Sequence, residues 1–204
     1  MKKILMLIVG VLITLGVCSC SKCSRQNEVV LGIDTTVVTE LNVENIVSMD
    51  RQDMYLNHVD GDSTLVRWFE TCVLLEDFLD ADCEPVVAGI SNVFQTVDIV
   101  EGGADTHVIL YSHTRDTSTV EVKHAFWIED MPMNDEPIKV TFKEAVEKVM
   151  EVNLPKPHSK HVVLRKEVGI KDCNPQWIFG NSDEQIYVDA VTGNVSDKNP
   201  AFGE

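Results

Sequence analysis

Basic side chains are scarce in this chain: 17 Lys and Arg stand against 33 Asp and Glu, a formal net charge of −16 at pH 7. A surface of that sign repels phosphate backbones and anionic headgroups, so nucleic acid is excluded as a partner. The acids are dispersed, denser at 76–84 and 129–136, and read as a solvated face. Motifs of catalysis are missing too. No GxSxG, HExxH or phosphate-cradling loop occurs, and Ser91, Ser112, Ser118 and Ser159 lack a nucleophile-elbow setting. Carboxylates are so frequent that nearness in sequence carries no catalytic meaning; Glu129 and Asp130 are adjacent and point to opposite sides of any strand. The expectation is a protein that is not an enzyme and uses no cofactor.

Metal ligands are also thinly arranged. His158 and His161 form an HxxH in a Pro-rich loop, while His107 and His113 share one face of an expected strand near its opposite ends. Ligation needs about three converging side chains with outer support, and none is arranged locally, so no metal is expected. No CxxC follows the first cysteine cluster, CSCSKC.

What the chain does have begins with a leader. Lys2 and Lys3 precede an apolar run, Ile4 to Val17, whose length suits a secretory signal and falls short of a comfortable membrane span. Val17, Cys18, Ser19 and Cys20 resemble a bacterial lipobox, with an aliphatic residue three before a cysteine and a small residue directly before it. That resemblance implies that Cys20 becomes the lipidated first residue of the mature chain. Several acyl chains anchor stably where one does not, at roughly 0.8 kcal/mol per buried methylene. The expected location is the envelope of a Gram-negative bacterium, as an outer-membrane lipoprotein held to the membrane by its lipid.

Residues 20–32 read as a polar tether. A β-branched run from Thr36 to Leu41 suggests a strand, and Asn42 to Asn57 a helix whose stripe is spoiled by Met49 and Asp50. Leu65 to Leu79 reads as a largely buried helix, since Leu65, Trp68, Phe69, Cys72, Leu75 and Leu79 fall at three- and four-residue steps. Trp68 and Phe69 are then core anchors. Strands follow at Val93 to Val100, Thr106 to Ser112 and Thr119 to Ile128, separated by the reversals EGGAD and HTRDTS.

The last third is the clearest. Thr141 followed by Glu144 is a capping box, so a helix starts at Phe142, with Phe142, Ala145, Val146, Val149 and Val152 as its buried stripe. Asn153 is the expected left-handed C-cap, and Pro155 forbids continuation. Strands are expected at His161 to Val168, Gln176 to Phe179 and Gln185 to Val191. In the closing turn Gly193 supplies the positive φ, and Asp189 or Thr192 bonds the turn backbone.

Glu144, Ala145, Trp177 and the ending Tyr187, Val188, Asp189, Ala190, Thr192, Gly193 and Val195 resemble the PepSY domain. The resemblance implies a small α+β fold, and for some relatives peptidase inhibition or non-catalytic binding in the cell envelope. The fold expected is therefore α+β, a helix packed on an antiparallel sheet. Because helix then three strands describes Leu65 to Ile128 as well as Phe142 to Val191, that unit is expected twice in tandem. The organisation is a signal peptide at 1–19, a tether at 20–32, an N-terminal α+β unit at 33–130, a linker at 131–139 whose Met131 to Glu136 stretch is the hinge, and a PepSY-like unit at 140–204.

Cys72 and Cys83 form a candidate disulfide if their Cα atoms approach within about 7 Å, leaving Cys23 with Cys173; in the competing reading Cys72 is a small buried hydrophobe. Three functional readings follow. The first is a lipoprotein binding a protein or peptide along a sheet edge or face, with peptidase inhibition or an accessory role in an envelope complex. The second is small-ligand binding in a crevice between the halves, with Trp127, Trp177 or Tyr111 as stacking surfaces. The third is a hydrolase, which a buried His beside Cys173 or a Ser, with an acid behind it, revives.

Overall fold

The computed structural model describes residues 30–34, 41–59, 64–79, 84–101, 103–134, 136–181 and 183–203. The leader, Cys20, Cys23, Cys83, the 36–40 part of the first expected strand and the loop 60–63 lie outside them. The elements in chain order are β1 (Val30–Asp34), α1 (Val43–Asn57), β2 (Thr64–Leu75), β3 (Val87–Val100), β4 (Gly103–Thr114), β5 (Ser118–His124), β6 (Asp130–Met131), α2 (Phe142–Glu151), β7 (His161–Glu167), β8 (Gln176–Asn181), β9 (Glu184–Asp189) and β10 (Val195–Ser196).

The α+β architecture of a helix on a three-stranded sheet, used twice, is not what forms. Two short helices of 15 and 10 residues accompany one large antiparallel sheet, and the fold is sheet-dominated. Nine strands follow one hydrogen-bonded path, β1-β5-β4-β3-β2-β7-β8-β9-β10, and β6 adds to β7. The halves of the chain meet where β2 pairs with β7, from Glu70 opposite Arg165 to Leu74 opposite His161. Residues 30–32, expected in the tether, pair with β5 as part of β1.

The largest departure is Leu65 to Leu79, expected as a helix and found as β2. Trp68, Val73 and Leu75 join the core beneath the helices, whereas Phe69 is buried outside that cluster. The second face of β2 is only half-buried, yet it carries Leu65, Cys72 and Leu74, so apolar residues fall on both faces and periodicity cannot separate the run from a buried helix. A bulge between Trp68 and Glu70 further breaks the two-residue alternation.

Both helices lie on the same side of the sheet. Val43, Ile46 and Met54 of α1 and Phe142, Ala145, Val146 and Val149 of α2 share one cluster with Phe94, Ile109, Val162, Leu164 and Trp177. Asn42 caps α1 by accepting the Asn45 N–H at 2.9 Å. At α2 the capping box forms as expected, with Thr141 and Glu144 satisfying each other's backbone N–H. Its C-terminus differs from expectation: Val152 is the extended C-cap, and the Lys156 ammonium, in place of an Asn153 turn, takes the open carbonyls of Val149 and Val152. The expected hinge is pinned at Met133 and Asn134. Met133 is fully buried and its N–H donates to the Trp68 carbonyl at 2.7 Å, while the Asn134 amide bonds the Trp68 N–H and the Val66 carbonyl, each at 2.6 Å.

Candidate functional site

A crevice of about 390 Å³ opens between α1 and the 136–141 approach to α2, above the sheet where β2, β7 and β8 lie side by side. Helical spacing puts Val43, Glu44, Val47, Ser48 and Arg51 on its α1 wall. Glu136, Ile138 and Thr141 form the opposite wall, and Trp68, Leu164 and Trp177 the floor. Both indoles are held at their polar ends: Trp177 Nε1 donates to the Val140 carbonyl at 2.9 Å and Trp68 Nε1 to the Glu70 carbonyl at 3.3 Å. The Phe142 ring meets Trp177 edge-on at 5.7 Å. These contacts fix the floor before any ligand arrives.

The polar rim is mostly committed. Glu44 accepts the Phe142 N–H at 2.7 Å, placing a carboxylate on the first turn of α2 and tying the two helices together. Glu136 pairs with Lys166 at 2.7 Å. Arg51 is different: its guanidinium lies 5.4 Å from the centre of the Trp68 ring, and among the described residues no carboxylate pairs with it. The crevice therefore offers an apolar floor and, among the described residues, one set of cationic donors with no carboxylate on it.

A second constellation lies deeper. His113 Nε2 is 2.9 and 3.0 Å from the two carboxylate oxygens of Asp50, and Nδ1 is 2.9 Å from Ser118 Oγ. Asn92 donates to Asp50 at 2.6 Å and accepts from the Thr71 hydroxyl at 2.5 Å. This is the Ser, His and acid alignment that revives the hydrolase reading, and its chemistry argues against that role. All three groups are buried, at 9%, 8% and 3% exposure for Ser118, His113 and Asp50, and none lines the crevice. A nucleophile needs substrate within reach. What the chain of bonds does is lock α1 across β2, β3, β4 and β5, satisfying each buried polar group in turn.

On the other side of the sheet a single guanidinium serves three carboxylates. Arg165 reaches Glu167 at 2.5 Å, and its Nε pairs with Asp130 Oδ1 at 3.6 Å, too long for a hydrogen bond, so both buried atoms have a charge partner and no hydrogen bond. Burial, then the neighbouring Asp130 charge, pushes the Glu70 carboxyl up to about 7, and burial pushes Asp130 up to about 6.

The sequence candidates scatter. Trp177 lies on the crevice floor. Tyr111 does not line the crevice: its hydroxyl bonds Asp53 at 2.7 Å and its ring packs edge-on against Phe94 in the core. Trp127 is half-buried beyond the end of β5 and donates to Asp130 at 3.2 Å. Cys72 is half-buried on β2; Cys83, its candidate partner, and the lipidation candidate Cys20 lie outside the described residues. His158 stacks on Phe78 at 3.8 Å, and His161 is exposed. Reasoning from sequence missed Trp68 as floor, Arg51 as donor and Asp50 as keystone. The signal for Asp50 was present, as the acid that spoiled the α1 stripe. Among the described residues, Asp105, His107 and His124 gather as a group with metal-ligand chemistry.

No protein family, curated protein or solved structure matches this chain. Among the described residues no helix is long and apolar enough to cross a membrane.

Proposed function

We propose that the protein is a non-catalytic, lipid-anchored binding module of the bacterial envelope, and that its recognition site is the crevice between α1 and the approach to α2. The anchor rests on the leader and on Cys20 in its lipobox-like setting. The single observation that carries the binding reading is the two-tryptophan floor beneath Arg51. At about 390 Å³ the crevice sits at the small end of ligand sites, which run from roughly 300 to 1,000 Å³. The ligand it suits is small, with an apolar group to enter between Val47 and Ile138 above the largely covered Trp68, Trp177 and Leu164, and one carboxylate or carbonyl to accept from Arg51.

The test is titration with anilinonaphthalene sulfonate, a ring system bearing an acceptor, followed by its fluorescence. Saturable one-site binding is expected, weakened about tenfold in Arg51→Met and abolished in Val47→Trp, which fills the mouth. Equal binding by both folded variants sinks the reading. The anchor is tested separately by palmitate labelling in cells, expected for the wild type and absent in Cys20→Ala.

A protein or peptide partner, with a peptidase-inhibitory or accessory role, is the second reading. It is favoured by Phe126 and Ile128, 70% and 82% exposed on the segment after β5. A partner that co-purifies with the wild type and is lost from a Phe126→Ser, Ile128→Ser variant supports it; retention of that partner counts against it.

A further inference from the structure

We propose that Asp105, His107 and His124 form a binding site for a divalent transition-metal ion of the zinc, nickel or copper type. Asp105 and His107 stand two residues apart on β4 and so share a face of the sheet. His124 ends β5 directly opposite His107 in the antiparallel register, which puts it on that same face. Three ligand-bearing side chains are thereby delivered to one patch by two paired strands, a more rigid mounting than loops provide.

The geometry agrees with the topology. His124 Nε2 lies 2.6 Å from Asp105 Oδ1, and the His107 and His124 rings meet nearly at right angles with centres 5.3 Å apart. One ligand atom from each residue lies within 4.8 Å of the others. An ion with bonds of about 2.1 Å draws tetrahedral ligands to roughly 3.4 Å from one another, so rotamer adjustments of an ångström or so close the set. A plain His124–Asp105 ion pair accounts for two of these residues and leaves the third unexplained. Two nitrogens and one carboxylate oxygen are a borderline donor set that suits zinc, nickel and copper and does not suit calcium or magnesium.

A neighbouring strand adds to the attraction. Asp98 on β3 sits directly opposite Asp105, so two carboxylates face each other across the ladder. Like charges so placed repel, and a cation between them relieves that repulsion. Asp98 already accepts the Thr64 hydroxyl, which orients it. The patch is open to solvent, with the His124 and Asp105 side chains 73% and 44% exposed, so an ion enters with no rearrangement of the fold. Bound there, it staples the last residue of β5 to β4 where the chain leaves the sheet, with a fourth position for Asp98 or water.

The experiment is calorimetric titration of the detergent-solubilised full chain, free of any histidine tag and stripped with chelator, with zinc chloride alone. One equivalent is expected, with affinity falling at least about tenfold in His107→Gln and in His124→Gln, a loss that even outer-shell changes reach, and unchanged in His161→Gln. Cobalt in place of zinc is expected to give the visible absorption of a nitrogen and oxygen site, lost in the same two variants. Circular dichroism confirms that the variants are folded. No zinc uptake by the wild type, or affinity unchanged in both His107→Gln and His124→Gln, overturns the assignment.

Discussion

Glu70 gives a stability prediction whose sign and size follow from its surroundings. It sits on β2 opposite Arg165 at the seam between the halves, near Asp130 and Glu129. Burial raises its carboxyl from 4.5 to about 7. Between those values the folded protein keeps a proton that the unfolded chain has released, so the Glu70 contribution to stability is most favourable below pH 4.5 and is lost as pH rises through about 7. At about 1.36 kcal/mol per pH unit, the full cost is roughly 3 kcal/mol. Glu70→Gln keeps the shape and removes the titration. Urea unfolding is expected to find the variant about as stable as the wild type at pH 5, and more stable by about 3 kcal/mol at pH 8, where the wild type carries the buried charge. Wild type and variant losing stability in parallel between pH 5 and pH 8 refutes the reasoning.

Other consequences are local. Asp50→Ala strands His113 and Asn92 in the interior and is expected to cost about 3 kcal/mol by chemical denaturation; a loss under 1 kcal/mol contradicts the bond chain assigned to it. Thr141→Ala removes half of the α2 capping box and is expected to cost about 1 kcal/mol, read in the same assay. Gly193→Val meets two obstacles, a φ of 77° and a side-chain atom placed 2.6 Å from Lys148 Cε, and a loss of about 2 kcal/mol is expected.

The closing third of the chain was legible because its signals are local. The Thr141–Glu144 box, the Asp189 to Gly193 turn and the short β-branched strands each depend on residues a few positions apart. The turn forms as expected, with the Asp189 carboxylate accepting the Val191 and Thr192 N–H groups at 2.8 Å. β2 was illegible because it carries apolar residues on its half-buried face as well as on its core face and is bulged at Phe69, so no two-residue alternation shows. The same holds for the crevice: Trp177 stood out as a large aromatic, but its neighbour Trp68 arrives from β2 across the seam. Asp50 looked like a flaw in an amphipathic helix until His113, 63 residues away, came to meet it. His124 had no local partner in the sequence, and only the strand register brings it to His107.

Ligand recognition by the crevice is tested most directly by the indole N–H signals of the chain's three tryptophans in nitrogen-15 spectra. Trp68 and Trp177 line the crevice and Trp127 stands outside it. Titration with small aromatic carboxylates is expected to shift the Trp68 and Trp177 signals together and leave Trp127 in place, with both shifts abolished by Val47→Trp. Shifts confined to Trp127, or none at all across such a series, contradict the account.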